Sequence, residues 1–257
     1  MERPFGLLPA GQGSVSDVAV DRRGHVFVLV RRDSQKGERG PAVIELSPEG
    51  VRRAAWGEEI VDAHMLLITE DDRIYVVDRD AHEVRVYDLK GTLTQQLGRR
   101  GEPGQPFNHP TDVAVMPDGR VVVSDGYGNA KVHVFSAEGE LLKSFGDLGI
   151  EPGRFVSPHA VWAVGADEVV VADRENHRVQ HFALDGRLLG VWTGFFRPQD
   201  IWGDGKGHLF VTDSIPSLAV LGERGERLGR CRPVLNGAHG ISAVSYTHLT
   251  LPTIYSV

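Results

Sequence analysis

The strongest constraint on this chain is a repeat. Residues 107–146 read FNHPTDVAVMPDGRVVVSDGYGNAKVHVFSAEGELLKSFG, and from Phe155 the chain reads FVSPHAVWAVGADEVVVADRENHRVQHFALDGRLLGVW. Aligning Pro110 with Pro158 also superposes Asp125 on Asp173. Each copy holds four short β-branched or apolar runs. Turns such as Pro117-Asp118-Gly119 and Ala137-Glu138-Gly139 separate them. Glycine accepts the positive φ that tight hairpin turns demand, so these are strand–turn–strand signals.

The same unit recurs along the chain. One copy starts near Val15 and carries a polar insert at residues 34–40. A second spans residues 61–98, and a fifth opens at FFRPQDIWGDG. NGAHGISAV opens a sixth. A period of roughly 40 residues with four strands per unit is a β-propeller signature. The expectation is an all-β, six-bladed propeller formed by residues 1–243, with the sixth blade cut short.

Residues 244–257 break the pattern. Pro252 stands where a central strand should run, and proline cannot donate to a ladder. VSYTHLTLPT resembles translated sequencing-adapter sequence, so the segment reads as non-native read-through outside the fold.

Composition excludes some classes of function. A net charge of -7 with no Lys/Arg cluster argues against a nucleic-acid partner. No apolar run reaches membrane-spanning length. The single cysteine, Cys231, rules out an intrachain disulfide, and the first residues show no signal-peptide pattern. A monomer in the cytoplasm is the expectation, with secretion left open should the chain begin further upstream.

One position in each unit lies fourteen residues before the end of the second strand. It holds Ser16, His64, Thr111, His159, Gln199 and His239. The histidines occupy alternate blades, which a six-bladed ring relates by about 120° around its central channel. Three convergent imidazoles with an open fourth position suit a catalytic zinc ion. His82, His109, His133, His177 and His181 lie outside this position and read as structural or surface residues.

A second position follows the second strand, at the mouth of the same channel. It holds Arg31, Arg79, Gly126, Arg174 and Ser214, and Tyr127 follows Gly126. Arginine can grip a carboxylate with two donors. Tyrosine can transfer a proton when a nearby cation favours its phenolate. Arg79 and Arg174 also fit a plainer role, pairing with neighbouring carboxylates in the VDRD and ADREN turns. Arg31 fits that role less well, because blade one lacks the usual Asp before it.

FNHPTDVAV, VSDGYGNAKV, SPHAVWAV and VADRENHRVQ resemble the NHL-repeat propellers, and among them peptidyl-α-hydroxyglycine α-amidating lyase (peptidylamidoglycolate lyase). The likeness is closest across blades three and four. It implies cleavage of the N–Cα bond of a peptidyl-α-hydroxyglycine to an amide and glyoxylate. It implies zinc on His64, His159 and His239, catalysis by Tyr127 and Arg31, and substrate binding by Arg31 and Arg174. The implied ligand is a small molecule or peptide with a terminal carboxylate.

The chain departs from that family at three places. Gly240 replaces an acidic residue that helps hold a structural calcium, so a calcium site would lack that ligand. Gly237 replaces a methionine, and Ala63 replaces a proline. Two other readings compete with the lyase. One is a non-catalytic NHL propeller that binds a protein or peptide. The other is a gluconolactonase-like hydrolase, but such sites use carboxylate and amide oxygens on a hard cation, and this chain offers imidazoles.

Overall fold

The computed structural model describes residues 13–33, 36–232, 238–243, 249 and 250. The N-terminal residues read for a signal, Gly237, and residues 244–248 and 251–257 of the proposed tail lie outside these described residues.

Five four-stranded antiparallel sheets follow one another in chain order. Blade one is β1 (Ser14–Val20), β2 (Val26–Arg31), β3 (Val43–Leu46) and β4 (Arg52–Trp56). Blade two is β5 (Ala63–Ile68), β6 (Ile74–Asp78), β7 (Glu83–Tyr87) and β8 (Leu93–Gly98). Blade three is β9 (Asp112–Val115), β10 (Val121–Asp125), β11 (Lys131–Phe135) and β12 (Leu141–Phe145). Blade four is β13 (Pro158–Val164), β14 (Glu168–Asp173), β15 (Arg178–Ala183) and β16 (Leu188–Trp192). Blade five is β17 (Pro198–Gly203), β18 (His208–Asp213), β19 (Ser217–Gly222) and β20 (Arg227–Cys231).

The expected six blades are corrected to five. After them the described residues hold only a two-stranded sheet, β21 (Ser242–Ala243) with β22 (Leu249–Thr250), and β21 packs on β1. Beyond Ala243 the sequence leaves the repeat pattern, with Pro252 where a blade's next strand would run. Leu249 and Thr250 belong to the segment read as foreign to the fold, yet they pair with Ala243 and Ser242.

The core lies between blades. Tyr75, Val77 and Leu97 of blade two pack with Phe107, Val121 and Phe135 of blade three, or with the loop entering it. Val122, Val134 and Phe155 pack with Val169, Val171 and Phe182 across the next interface. β10, with Val121 and Val123 in the first interface and Val122 in the second, is therefore covered on both faces. That explains why β10 reads Val-Val-Val rather than alternating with polar residues.

The recurring aspartate at the end of the second strand has a structural task. Asp78, Asp125, Asp173 and Asp213 are buried and accept hydrogen bonds from the backbone N–H of Val61, Asn108, Val156 and Phe196. The separation is 17 residues in all four blades. The carboxylate thus clamps the loop that delivers each blade's innermost strand and sets where that strand begins. Asp173 also binds Asn176, Gln180 and the mostly buried Arg178.

Asp173→Ala removes the counter-charge of Arg178 and leaves its Nε and the Val156 N–H without their acceptor. It should lower unfolding stability by about 3 kcal/mol, read as a lower denaturant midpoint with an unchanged slope. A shift within the error of the wild type would remove the clamp from the account.

Candidate metal centre

The innermost strands are irregular where the channel position falls. The β1–β2 ladder shifts register between Val15 and Asp17, and β5–β6 shifts between Ala63 and Leu66. The same shift occurs between Pro158 and Ala160 and between Pro198 and Asp200. Ser16, His159 and Gln199 are left out of the pairing, as are both His64 and Met65 in blade two. A bulge re-aims its side chain, which turns these residues out of the ladder.

Their polar groups reach to the next blade. Ser16 Oγ donates to the carbonyl of Ala63, and Thr111 Oγ1 donates to that of Pro158. The histidines do the same through Nδ1. His64 reaches the Thr111 carbonyl at 2.6 Å, His159 the Gln199 carbonyl at 2.6 Å, and His239 the Ser16 carbonyl at 2.9 Å. A carbonyl only accepts, so Nδ1 must carry the proton in each ring. Nε2 is then left in every ring as an unprotonated donor to a metal.

The three rings form a nearly equilateral cluster. Centroids lie 5.1 Å apart for His64–His159, 4.9 Å for His64–His239 and 5.0 Å for His159–His239. One nitrogen from each lies within 4.8 Å of the others. Burial, then repulsion from His239, holds His64 and His159 well below the ordinary histidine value. Burial, joined by Arg31, Arg174 and Arg79, lowers His239 to about 4. Neutral imidazoles with inward Nε2 atoms are the donor set a divalent ion such as zinc requires.

Tyr127 closes the open side. Its hydroxyl lies 3.1 Å from His64 Nε2 and 3.0 Å from His159 Nε2, and it accepts from Arg174 Nη1 at 3.2 Å. With both imidazole nitrogens unprotonated, the hydroxyl proton goes to one of them at a time. Arg79 and Arg174 lie over the tyrosine ring at 5.4 and 5.3 Å from its centroid.

The arginines around this mouth are tied to carboxylates. Asp62 contacts Arg31 Nε at 2.6 Å, accepts from Arg31 Nη2 at 2.9 Å and meets Arg79 Nη2 at 2.5 Å. Burial raises the Asp62 carboxyl above the ordinary aspartate value, while the two guanidiniums pull it back down. Glu175 accepts from Arg174 Nε at 2.9 Å and Arg197 Nη2 at 2.6 Å.

A second ring occupies the alternate blades. Asp17, Asp112 and Asp200 are buried and accept from the backbone N–H of Leu66, Val161 and Ile241 in the following blade. Burial pushes Asp112 up to about 7 and Asp17 and Asp200 well above the usual carboxylate range. A Cβ on Gly240 would lie 1.9 Å from Asp17 Oδ1, so a larger residue at position 240 would displace Asp17.

The structure therefore brings together His64, His159, His239, Tyr127 and Arg174, and it places Arg31 at the rim through Asp62. The histidines read as structural have structural partners: His133 meets Ser144 and Asp125, His181 meets Glu168, and His82 accepts from the His109 N–H. Sequence reasoning dismissed Arg79 as turn punctuation. It does pair with the adjacent Asp80, but it also reaches Asp62 and Tyr127. Asp62 was missed, although it stands two residues before a channel histidine, where the other described blades carry Ser14, His109, Ser157 and Arg197.

Comparison with known proteins agrees with the repeat reading. The NHL repeat family model matches residues 107–135 and 155–182. The chain is 33% identical over 210 residues to peptidylglycine alpha-amidating monooxygenase of Rattus norvegicus, covering 70% of this chain and 21% of that protein. It is 30% identical over 197 residues to a probable peptidyl-alpha-hydroxyglycine alpha-amidating lyase of Caenorhabditis elegans, covering 66% of this chain and 56% of that one. It is also 30% identical over 230 residues to NHL repeat-containing protein 3 of Mus musculus, covering 81% and 65%. The chain thus spans less than two thirds of each relative's length. Among solved structures, a streptogramin B lyase superposes with a TM-score of 0.70 at 15% identity, over 95% of this chain and 78% of that one. At that identity the likeness concerns the propeller fold alone. The chain carries NHL repeats and is a distant relative of amidating-lyase domains.

The histidines make metal-free stability depend on pH. A histidine held near 4 in the fold and free to charge at about 6.5 when unfolded stabilises fully above 6.5. That contribution is lost as pH falls from 6.5 towards 4. The raised aspartates act with the opposite sign in an overlapping window, so the test is a difference. Unfolding free energy of metal-free His239→Gln should fall less steeply between pH 6.5 and 4 than that of the wild type, by about one proton. Parallel profiles would contradict a buried, neutral His239.

Proposed function

We propose that this protein is a zinc-dependent lyase of the amidating type, cleaving the N–Cα bond of a peptidyl-α-hydroxyglycine or similar substrate to an amide and glyoxylate. The observation that carries the reading is Tyr127, whose hydroxyl lies 3.0–3.1 Å from two of three convergent, metal-ready imidazole nitrogens. A binding propeller has no need of a proton-transfer group beside a trihistidine cluster. The 30% identity to lyases named for this activity supports the same reading.

The residues fit the chemistry. His64, His159 and His239 would hold zinc through Nε2, and the ion would supply Lewis-acid polarisation of the substrate's hydroxyl. The hydroxyl must lose its proton as the carbonyl of glyoxylate forms, the N–Cα bond breaks and the amide nitrogen gains a proton. Tyr127 Oη lies beside that centre; with its own proton first given up to solvent, it could take the first proton, and the same group could return it to the leaving nitrogen. The arginines give the mouth its positive charge, and Arg174, beside Tyr127, would hold the substrate's carboxylate and fix the hydroxyl against the centre, with Arg31 at the rim paired to Asp62.

A second reading has its own support, since NHL repeat-containing protein 3 is 30% identical over 81% of this chain. On that reading the propeller binds a protein or peptide and the histidines only brace the channel.

Release of glyoxylate from N-benzoyl-α-hydroxyglycine by zinc-loaded protein separates the two. The lyase reading expects turnover, and it expects Tyr127→Phe to depress kcat by at least about a hundredfold while changing KM little. No glyoxylate from the wild type moves the assignment to the binding propeller. Full activity in Tyr127→Phe removes the tyrosine from the mechanism.

A further inference from the structure

The mouth is not evenly charged. On the blade-one and blade-two side, Arg31 and Arg79 face Asp62 and Asp80. Asp62 Oδ1 lies 2.6 Å from Arg31 Nε and its Oδ2 accepts from Arg31 Nη2, while Arg79 pairs Nη2 with Asp62 Oδ2 and donates Nε to Asp80. The side-on donor pair that would grip an incoming carboxylate is thus already taken on both arginines. Two cations are balanced there by two carboxylates.

The opposite side is not balanced. Arg174 and Arg197 share the single carboxylate of Glu175. Arg174 spends Nε on Glu175 and Nη1 on Tyr127 Oη, and no hydrogen bond engages its Nη2 among the described residues. Arg197 Nε is buried without a hydrogen-bond partner. Both arginines lower the pKa of His159, so their charge reaches the centre.

We propose that Asp62 divides the mouth: it closes the Arg31–Arg79 side to anions, and the substrate's carboxylate is received on the Arg174–Arg197 side, beside Tyr127. This rests on the reading of the mouth as a carboxylate subsite. Asp62 is then a specificity-determining residue, because it fills from within the place a second anionic group of a ligand would occupy. The site takes a monocarboxylate of the glycine type and disfavours ligands that carry a second negative charge on the blade-one side. Arg79, over the Tyr127 ring and tied to Asp62, is a positioning residue for that ring.

The test is equilibrium binding by calorimetry to zinc-loaded protein, with N-benzoylglycine and the uncharged N-benzoylglycinamide as probes. Wild type should prefer the carboxylate, and Arg174→Ala should cost more of that preference than Arg31→Ala does. Asp62→Asn keeps the side chain's shape and frees Arg31. It should tighten N-benzoylglycine by about tenfold, the weight of one charged hydrogen bond, without tightening the amide. The gain should vanish in Asp62→Asn/Arg31→Ala. The proposal is overturned if Arg31→Ala costs more than Arg174→Ala, if Asp62→Asn leaves or weakens carboxylate binding, or if the wild type shows no preference. The two arginine variants keep the question decidable even where Asp62→Asn fails to fold. Glyoxylate is not read in this assay. A protein that discriminates as described but releases none refutes the lyase reading and supports this one, and turnover without dependence on Asp62 does the reverse.

Discussion

The hydrogen bond from each channel imidazole to the carbonyl of the next blade carries both the architecture and the chemistry. It ties an innermost strand to its neighbour around the ring. It also consumes the Nδ1 proton, which leaves Nε2 as the nitrogen able to take a metal. The bulge that sets His64 and His159 out of their ladders makes that bond geometrically available. Had these residues stayed in regular pairing, alternation would have sent them into the interface between blades, where the core valines lie.

Two rings of three follow from the channel position, which recurs in all five blades and once more at His239, just before β21. Residues after Ser16, Thr111 and Gln199 are aspartates that accept from backbone N–H groups one blade further on. Alternate blades carry the histidines. Buried carboxylates and buried imidazoles therefore brace the same channel with opposite charge tendencies, each hydrogen-bonded to backbone of a neighbouring element. The mouth above them is cationic on balance, which suits an anionic ligand approaching a dipositive centre.

Much of this was legible from residues alone. The regular return of Asp78, Asp125, Asp173 and Asp213 gave the blade period, and that period placed His64, His159 and His239 in one register. The blade count was not legible. NGAHGISAV announces a sixth unit, but only a two-stranded sheet follows it among the described residues, where the sequence leaves the repeat pattern. Asp62 and the real role of Arg79 were also hidden. Asp62 draws Arg31 across the seam between blades one and two, and Arg79, besides pairing with Asp62 inside blade two, reaches Tyr127 of blade three; a period that treats each blade separately cannot reveal such contacts across a seam. The partition of charge between Arg31 and Arg174 has the same origin, since both residues occupy one repeat position and differ only in their neighbours.

The central claim is that three channel imidazoles, each fixed by a bond to the next blade, form one metal centre. X-ray absorption at the zinc edge tests it most directly. One zinc per chain should be bound with three nitrogen ligands at about 2.0–2.1 Å, and His159→Ala should lose one nitrogen from that shell while His133→Ala leaves it intact. A zinc shell made mainly of oxygen, or a spectrum unchanged in His159→Ala, would contradict it.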